Sequence, residues 1–177
     1  AARGSTRPSW PLAPCWPVSW ALRGKRLGPE HVDIARSQYQ LADLLFRKGE
    51  YDAAEPLFRQ ALSMRRKLLG DNTLEVAKSL EGLAMNLYNQ GKYDEALPAM
   101  RRAVALQRGL HKEPHTDLAE ALGKLGLVLS DMGEYHEAET LYREALQMKR
   151  VLLGDTHPEI ALSLNNLAYA LADQERY

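Results

Sequence analysis

Along most of this chain, apolar and small residues return in a helical rhythm that glycine interrupts. Ala35, Leu41, Ala42 and Leu45 share one stripe of a helix, and Gly49 follows, able to take the left-handed backbone that ends it. Ala54, Leu57, Phe58, Ala61 and Leu62 form a second stripe at the same spacing. The pattern predicts two helices joined by a short turn, with Asp52, or Asp94 in the next occurrence, capping the second helix. Pro56 and Pro98 fall in that helix's first turn or just beyond it, where a missing N–H costs least. Basic residues gather at its far end (Arg65, Arg66 and Lys67; Lys149 and Arg150), the sign that suits a helix C-terminus. Asn72-Thr73-Leu74-Glu75 and Thr156-His157-Pro158-Glu159 read as capping boxes that open the next pair.

The pair repeats. A shift of 42 positions carries Gly49-Glu50-Tyr51 onto Gly91-Lys92-Tyr93, Gly133-Glu134-Tyr135 and Glu175-Arg176-Tyr177. It also superposes Leu41-Ala42, Leu83-Ala84, Leu125-Gly126 and Leu167-Ala168. The large residues Phe58, Met100 and Tyr142 coincide, flanked by Ala54, Ala96 and Ala138 and by Ala61, Ala103 and Ala145. Helices joined by a short turn approach closely only where side chains are small, which explains the alanines. Leu27-Gly28, Leu69-Gly70 and Leu153-Gly154 share a register from which His111-Lys112 departs. The expected fold is an all-α solenoid of antiparallel helix pairs over 27–177: three full units and the first helix of a fourth, 158–173.

Leu41-Ala42-x-x-Leu45 followed by Ala54-x-x-x-Phe58-x-x-Ala61 resembles the tetratricopeptide (TPR) pattern. The 42-residue period and the run from Leu153-Gly154-Asp155 to Asn166-Leu167-Ala168 are similar to the kinesin light chain type. That type lengthens both helices of the usual unit of about 34 residues. The resemblance covers about residues 27–177 and implies a right-handed TPR superhelix whose first helices line a concave surface. It also implies a scaffold or adaptor that binds a peptide or partner protein, not an enzyme.

On each first helix, positions i, i+4, i+7 and i+11 form the face opposite the second helix. These are Arg36, Gln40, Asp43 and Arg47; Lys78, Gly82, Met85 and Asn89; Glu120, Lys124, Leu127 and Asp131; and Leu162, Asn166, Tyr169 and Asp173. The first two helices carry three basic residues and one acidic, the last two one basic and three acidic. A groove so polarised orients an extended peptide of opposite asymmetry. A merely solvated face has the same composition, and the sequence leaves the two readings level. The resemblance implies short tryptophan-and-acidic cargo peptides held by basic and asparagine side chains. Lys78 and Asn166 match those positions, while Gln40, Gly82 and Lys124 replace the other asparagines. Asp43, Met85, Leu127 and Tyr169 stand where chaperone-binding repeats carry the asparagine of a carboxylate clamp. Neither ligand class carries over whole.

At the N-terminus, Pro8, Pro11, Pro14 and Pro17 alternate with Trp10 and Trp16, which predicts an extended or disordered leader over 1–26. From Val18 the register returns, since Ser19, Trp20 and Leu22 align with Ala61, Leu62 and Met64; a helical stub over 18–26 is expected. The first residue is alanine, so a piece of a longer chain is expected. At the other end, the helix over 158–173 is expected to lack a cover for Leu167 and Leu171, inviting weak self-association.

Composition narrows the function classes. Lys plus Arg equals Asp plus Glu at 23 each, without the basic excess of nucleic-acid or membrane-surface proteins. No apolar run approaches the roughly 20 residues that span a bilayer. A single cysteine, Cys15, offers no intramolecular disulfide and no thiolate cluster, pointing to a reducing, cytoplasmic setting.

Catalytic chemistry finds no constellation. Gly91-Lys92 lacks the glycine spacing of a phosphate-binding loop, and zinc-protease, nucleophile-elbow and dinucleotide motifs are absent. His31, His115 and His157 share one repeat position, where capping or packing explains them better than metal ligation. His111, His115 and His136 lie on separate elements, a weak metal set. The reading is no catalytic residue, no cofactor and no metal. Two alternatives remain beside the adaptor: a regulatory TPR segment of a multidomain kinase or NTPase, and self-assembly through an open solenoid end.

Overall fold

The computed structural model describes residues 30–112 and 114–174. The leader over 1–26, the stub over 18–26 and Cys15 lie outside the described residues. Seven helices follow one another: α1 Val32–Arg47, α2 Tyr51–Leu69, α3 Leu74–Asn89, α4 Tyr93–Leu110, α5 Thr116–Asp131, α6 Tyr135–Leu153 and α7 Pro158–Gln174. Each packs on its sequence neighbours, so α1–α2, α3–α4 and α5–α6 are antiparallel hairpins stacked in chain order.

The turns within hairpins are the predicted ones. Gly49, Gly91 and Gly133 have φ of 80°, 75° and 84°. Behind each, the chain folds back in the same way: Gly49 N–H donates to Phe46 O and Glu50 N–H to Leu45 O, both at 2.9 Å. Both bonds recur at Gly91-Lys92 and Gly133-Glu134. This doubly bonded end satisfies carbonyls that the helix leaves open.

The helix starts correct two expectations. The caps of the second helices are Glu50, Lys92 and Glu134, with no side-chain cap bond; Asp52 and Asp94 sit inside the first turn, where they complement the helix dipole. The first helices are capped one residue later than the capping boxes suggest. Thr73 Oγ1 accepts from Val76 N–H at 3.3 Å. His31, His115 and His157 do the same work with Nδ1, accepting from the N–H of Asp33, Asp117 and Glu159 at 3.1, 3.2 and 3.3 Å. Their shared repeat position is therefore a capping position.

The core is the repeat's apolar stripe. Phe58, Met100 and Tyr142 are buried between alanines that are buried in every unit, Ala54, Ala61, Ala96, Ala103, Ala138 and Ala145. Leu167 packs against the core cluster around Tyr142, contrary to the expectation that it is uncovered. Among the described residues of α7, Ala161, Leu164 and Ala168 are exposed and Leu171 is half-buried.

The stack has two unequal sides. The first helices approach one another directly, α1 with α3, α3 with α5 and α5 with α7, whereas the second helices make no such backbone approach among the described residues. Long side chains span the gap instead: Arg59 of α2 reaches Glu95 of α4 at 2.8 Å, and Arg101 of α4 reaches Glu137 of α6 at 2.7 Å. These two pairs are the same pair one unit apart. The first helices thus form the inner side and the second helices the outer.

Candidate functional site

The inner side carries the side chains singled out in the sequence. Arg36, Gln40 and Arg47 on α1, Lys78 and Asn89 on α3, Glu120 and Asp131 on α5, and Asn166 and Tyr169 on α7 are exposed. Asp43 and Lys124 are half-buried. Met85 is half-buried too, packed against the core cluster of Ala84 and Met100. Gly82 faces α2, since a Cβ there would lie 2.7 Å from Phe58 Cε1.

Neighbouring first helices are cross-linked through these residues. Lys78 of α3 pairs with Asp117 of α5 at 3.0 Å. Lys124 of α5 reaches back to Glu81 of α3 and lies 3.8 Å from Glu120. Glu81 also accepts from Gln107 Nε2 at 3.1 Å. Tyr88 Oη donates to Asp131 at 2.5 Å, and burial followed by that bond pushes the phenol's pKa up. On α1, Arg47 pairs with Asp43 at 2.9 Å, and on α3 Asn89 Nδ2 donates to Met85 O at 2.8 Å. The charges in the middle of the face thus answer one another, while Gln40 at one end and Asn166 and Tyr169 at the other present amides and a ring to solvent.

Sequence reasoning missed Glu81, Tyr88 and Asp117, which hold Lys124, Asp131 and Lys78. A helical wheel gives no signal for them, because their partners sit on the next first helix.

Between units, one polar position, buried in two units and half-buried in the third, recurs on the second helices. Arg65 donates to Glu75 O at 2.9 Å and to Ser79 Oγ at 2.8 Å, with its guanidinium 4.9 Å from the Tyr39 ring centre. Burial raises the Tyr39 hydroxyl to about 12. One unit on, the position is Gln107, and one further Lys149, paired with Glu159 at 3.1 Å.

Where the repeat departs from its register, His111 stacks on His115 with ring centres 3.8 Å apart and planes 13° from parallel. Donor atoms of His111, His115 and Asp117 lie within 4.8 Å of one another, and His136 is not among them. Parallel rings aim their in-plane lone pairs side by side rather than at one point. His115 Nδ1 is engaged as a cap and Asp117 is paired with Lys78, so the group forms a packed junction between α4 and α5. On the outer side, a cleft of about 450 Å³ between α4 and α6 is floored by Val104, Leu125 and Leu141. Its walls carry the pairs Arg101–Glu137 and Arg108–Glu144. No helix among the described residues is long and apolar enough to cross a membrane.

Four overlapping stretches, residues 21–67, 33–109, 75–150 and 117–177, match the tetratricopeptide repeat family. Among curated proteins nothing matches the chain. Among solved structures, the chain is similar to a kinesin-light-chain-like protein of Podosopora anserina with nearly identical TPR-like repeats. Identity there is 24% and the TM-score 0.76, over 82% of this chain and 69% of that one. BtubC (BKLC) from P. vanneervenii shares 23% identity at a TM-score of 0.72, over 81% of this chain and 57% of that one. The apo form of RapI shares 16% at a TM-score of 0.75, over 90% and 57%. At these identities the likeness carries the fold. With its repeats matched from end to end of the helical stack, the chain belongs to the tetratricopeptide repeat family.

Proposed function

We propose that this chain is a non-enzymatic protein-interaction scaffold that takes an extended peptide segment of a partner on the inner face of α1, α3, α5 and α7. The observation that carries the reading is the mutual approach of the first helices, which makes their exposed residues one continuous surface. The contact set is Arg36, Gln40, Asp43, Arg47, Lys78, Met85, Asn89, Glu120, Lys124, Asp131, Asn166 and Tyr169. Gln40 and Asn166 supply amides that pair with a peptide backbone, and Tyr169, 60% exposed, supplies an apolar body with a polar tip. The cross-linked charges between them give the floor a fixed pattern that selects orientation more than affinity. A cytoplasmic setting fits the single cysteine.

The test is affinity capture on the full chain, beside Lys78→Glu and Asn166→Ala variants, with bound proteins identified by mass spectrometry. A partner held by the wild type and lost by both variants supports the inner face. A partner retained by all three moves the site to the outer side or the ends.

A further inference from the structure

The outer row of second helices repeats its ion pairs from one gap to the next, with one exception. Arg59–Glu95, across α2 and α4, returns 42 positions later as Arg101–Glu137, across α4 and α6. Two turns further along the second gap, Arg108 pairs with Glu144 at 2.5 Å. The same two positions in the first gap are Arg66 and Arg102, so an arginine stands where the next unit has a glutamate. The two guanidiniums are neighbours in space, because consecutive residues of the α2–α3 connection hold them. Arg66 Nε lies 3.2 Å from Asp71 Oδ1, and Arg102 Nη2 donates to Asn72 Oδ1 at 3.2 Å. All four residues are exposed. Arg102 has that amide oxygen and no carboxylate for a partner among the described residues. Two positive charges thus share the single carboxylate of Asp71, and like charges so placed gain from any further anion.

From this arginine in a repeating row of ion pairs, we infer that the gap between Arg66 and Arg102 is a docking site for a glutamate side chain of a partner protein. The chain's own second gap shows the group that suits the spot, since there Arg108 holds the carboxylate of Glu144. Charge selects the same occupant. A carboxylate brings one negative charge and neutralises the set of Arg66, Arg102 and Asp71. A phosphate brings nearly two at about pH 7, overshoots that balance and meets Asp71 as a like charge. Two guanidinium forks also offer a carboxylate paired N–H donors, which a flexible ammonium does not. The site lies on second helices, on the side of the stack away from Lys78 and Asn166. It is a further contact surface and does not rest on peptide binding by the inner face.

The probe is end-capped hexaglutamate added to the full chain at ~0.1 M salt, where longer-range attraction is screened. Inorganic phosphate is the parallel arm, and the arginine Nε–Hε resonances are the readout. Hexaglutamate is expected to shift Arg66 and Arg102 at millimolar concentration, before Arg59 and Arg101, whose carboxylates are already in place. Arg102→Glu supplies the missing carboxylate from within the chain. It is expected to melt no lower than the wild type and to weaken hexaglutamate about tenfold or more. Arg102→Gln, which removes the charge without restoring the pair, is expected to weaken the peptide as well. Three results overturn the inference: no shift of the two arginines at millimolar peptide, equal shifts across all four, or shifts with phosphate alone. A lower melting temperature for Arg102→Glu also overturns it, because a glutamate there then fails to meet Arg66.

Discussion

Gly126 of α5 lies against the ring of Tyr142 of α6: a Cβ there would stand 2.8 Å from Cε1 and 3.0 Å from Cδ1. Tyr142 is 3% exposed and held by surrounding core, so the ring has little room to retreat. Gly126→Ala sets a helix-propensity gain of about 1 kcal/mol against an overpacking cost of about 1–3 kcal/mol. A net loss of about 1 kcal/mol is expected. Gly123 is the control on the same helix, since a Cβ there meets nothing within 4 Å. Gly123→Ala is expected to stabilise by about 0.5–1 kcal/mol. Urea unfolding of the two variants decides the contrast.

Arg65 ties the first hairpin to the second through Glu75 O and Ser79 Oγ, while the Tyr39 ring of its own hairpin lies beside the guanidinium. Arg65→Ala removes charge-assisted bonds and buried stem packing together, and a loss of about 2–3 kcal/mol is expected. Arg65→Gln, the residue that stands one unit later at 107, is expected to lose less. Equal losses in thermal unfolding would mean that the guanidinium, which both variants lack, carries the contribution and the stem adds nothing.

Glu55 accepts from Lys92 at 2.8 Å and from Arg59 at 2.9 Å. The Lys92 bond is the largest influence, and the carboxyl falls from 4.5 to about 2. A lowered folded-state pKa means that the group's contribution is full above about 4.5 and drains as pH falls toward about 2. Glu55→Gln is expected to be less stable than the wild type at neutral pH and to converge with it in that acid window. Stability measured from pH 7 down to 2 shows the convergence or its absence.

His111 occupies the register of Leu69 and Leu153, and its Nε2 is buried without a hydrogen-bond partner. Burial, then His115, lowers its pKa below 6.5, with Asp117 opposing and Lys78 adding. The sign follows: a histidine held neutral by the fold costs stability once pH drops below 6.5, where the unfolded chain takes up the proton more readily. His111→Leu restores the repeat residue and removes a buried orphan nitrogen. It is expected to gain about 1 kcal/mol and to flatten the decline between pH 7 and 5. A pH profile parallel to the wild type would sink this account.

The solenoid was legible in the sequence because its signals are local and recur. Glycine after each first helix sets the turn, and the alanines around Phe58, Met100 and Tyr142 mark the contact within each hairpin. The start of each helix was legible only to within a residue, because a histidine Nδ1 caps as an asparagine oxygen does. What stayed hidden was everything that depends on how units stack. Lys78 meets Asp117, and Lys124 meets Glu81, across helices whose relative register comes from packing rather than from spacing within either one. The same blindness put Leu167 on a bare face, though it packs against the core around Tyr142.

The unequal sides of the stack have a mechanical consequence. Backbone-to-backbone contact along the inner row makes it the stiff chord of the arc. The outer row is joined by jointed struts, Arg59–Glu95 and Arg101–Glu137, that lengthen or shorten by rotamer changes. Bending is therefore expected to pivot on the inner chord and to change the spacing of the outer helices more than that of the inner ones. Added salt weakens the ion pairs of both rows, but the inner row keeps its direct helix approach, so the outer row is expected to loosen first.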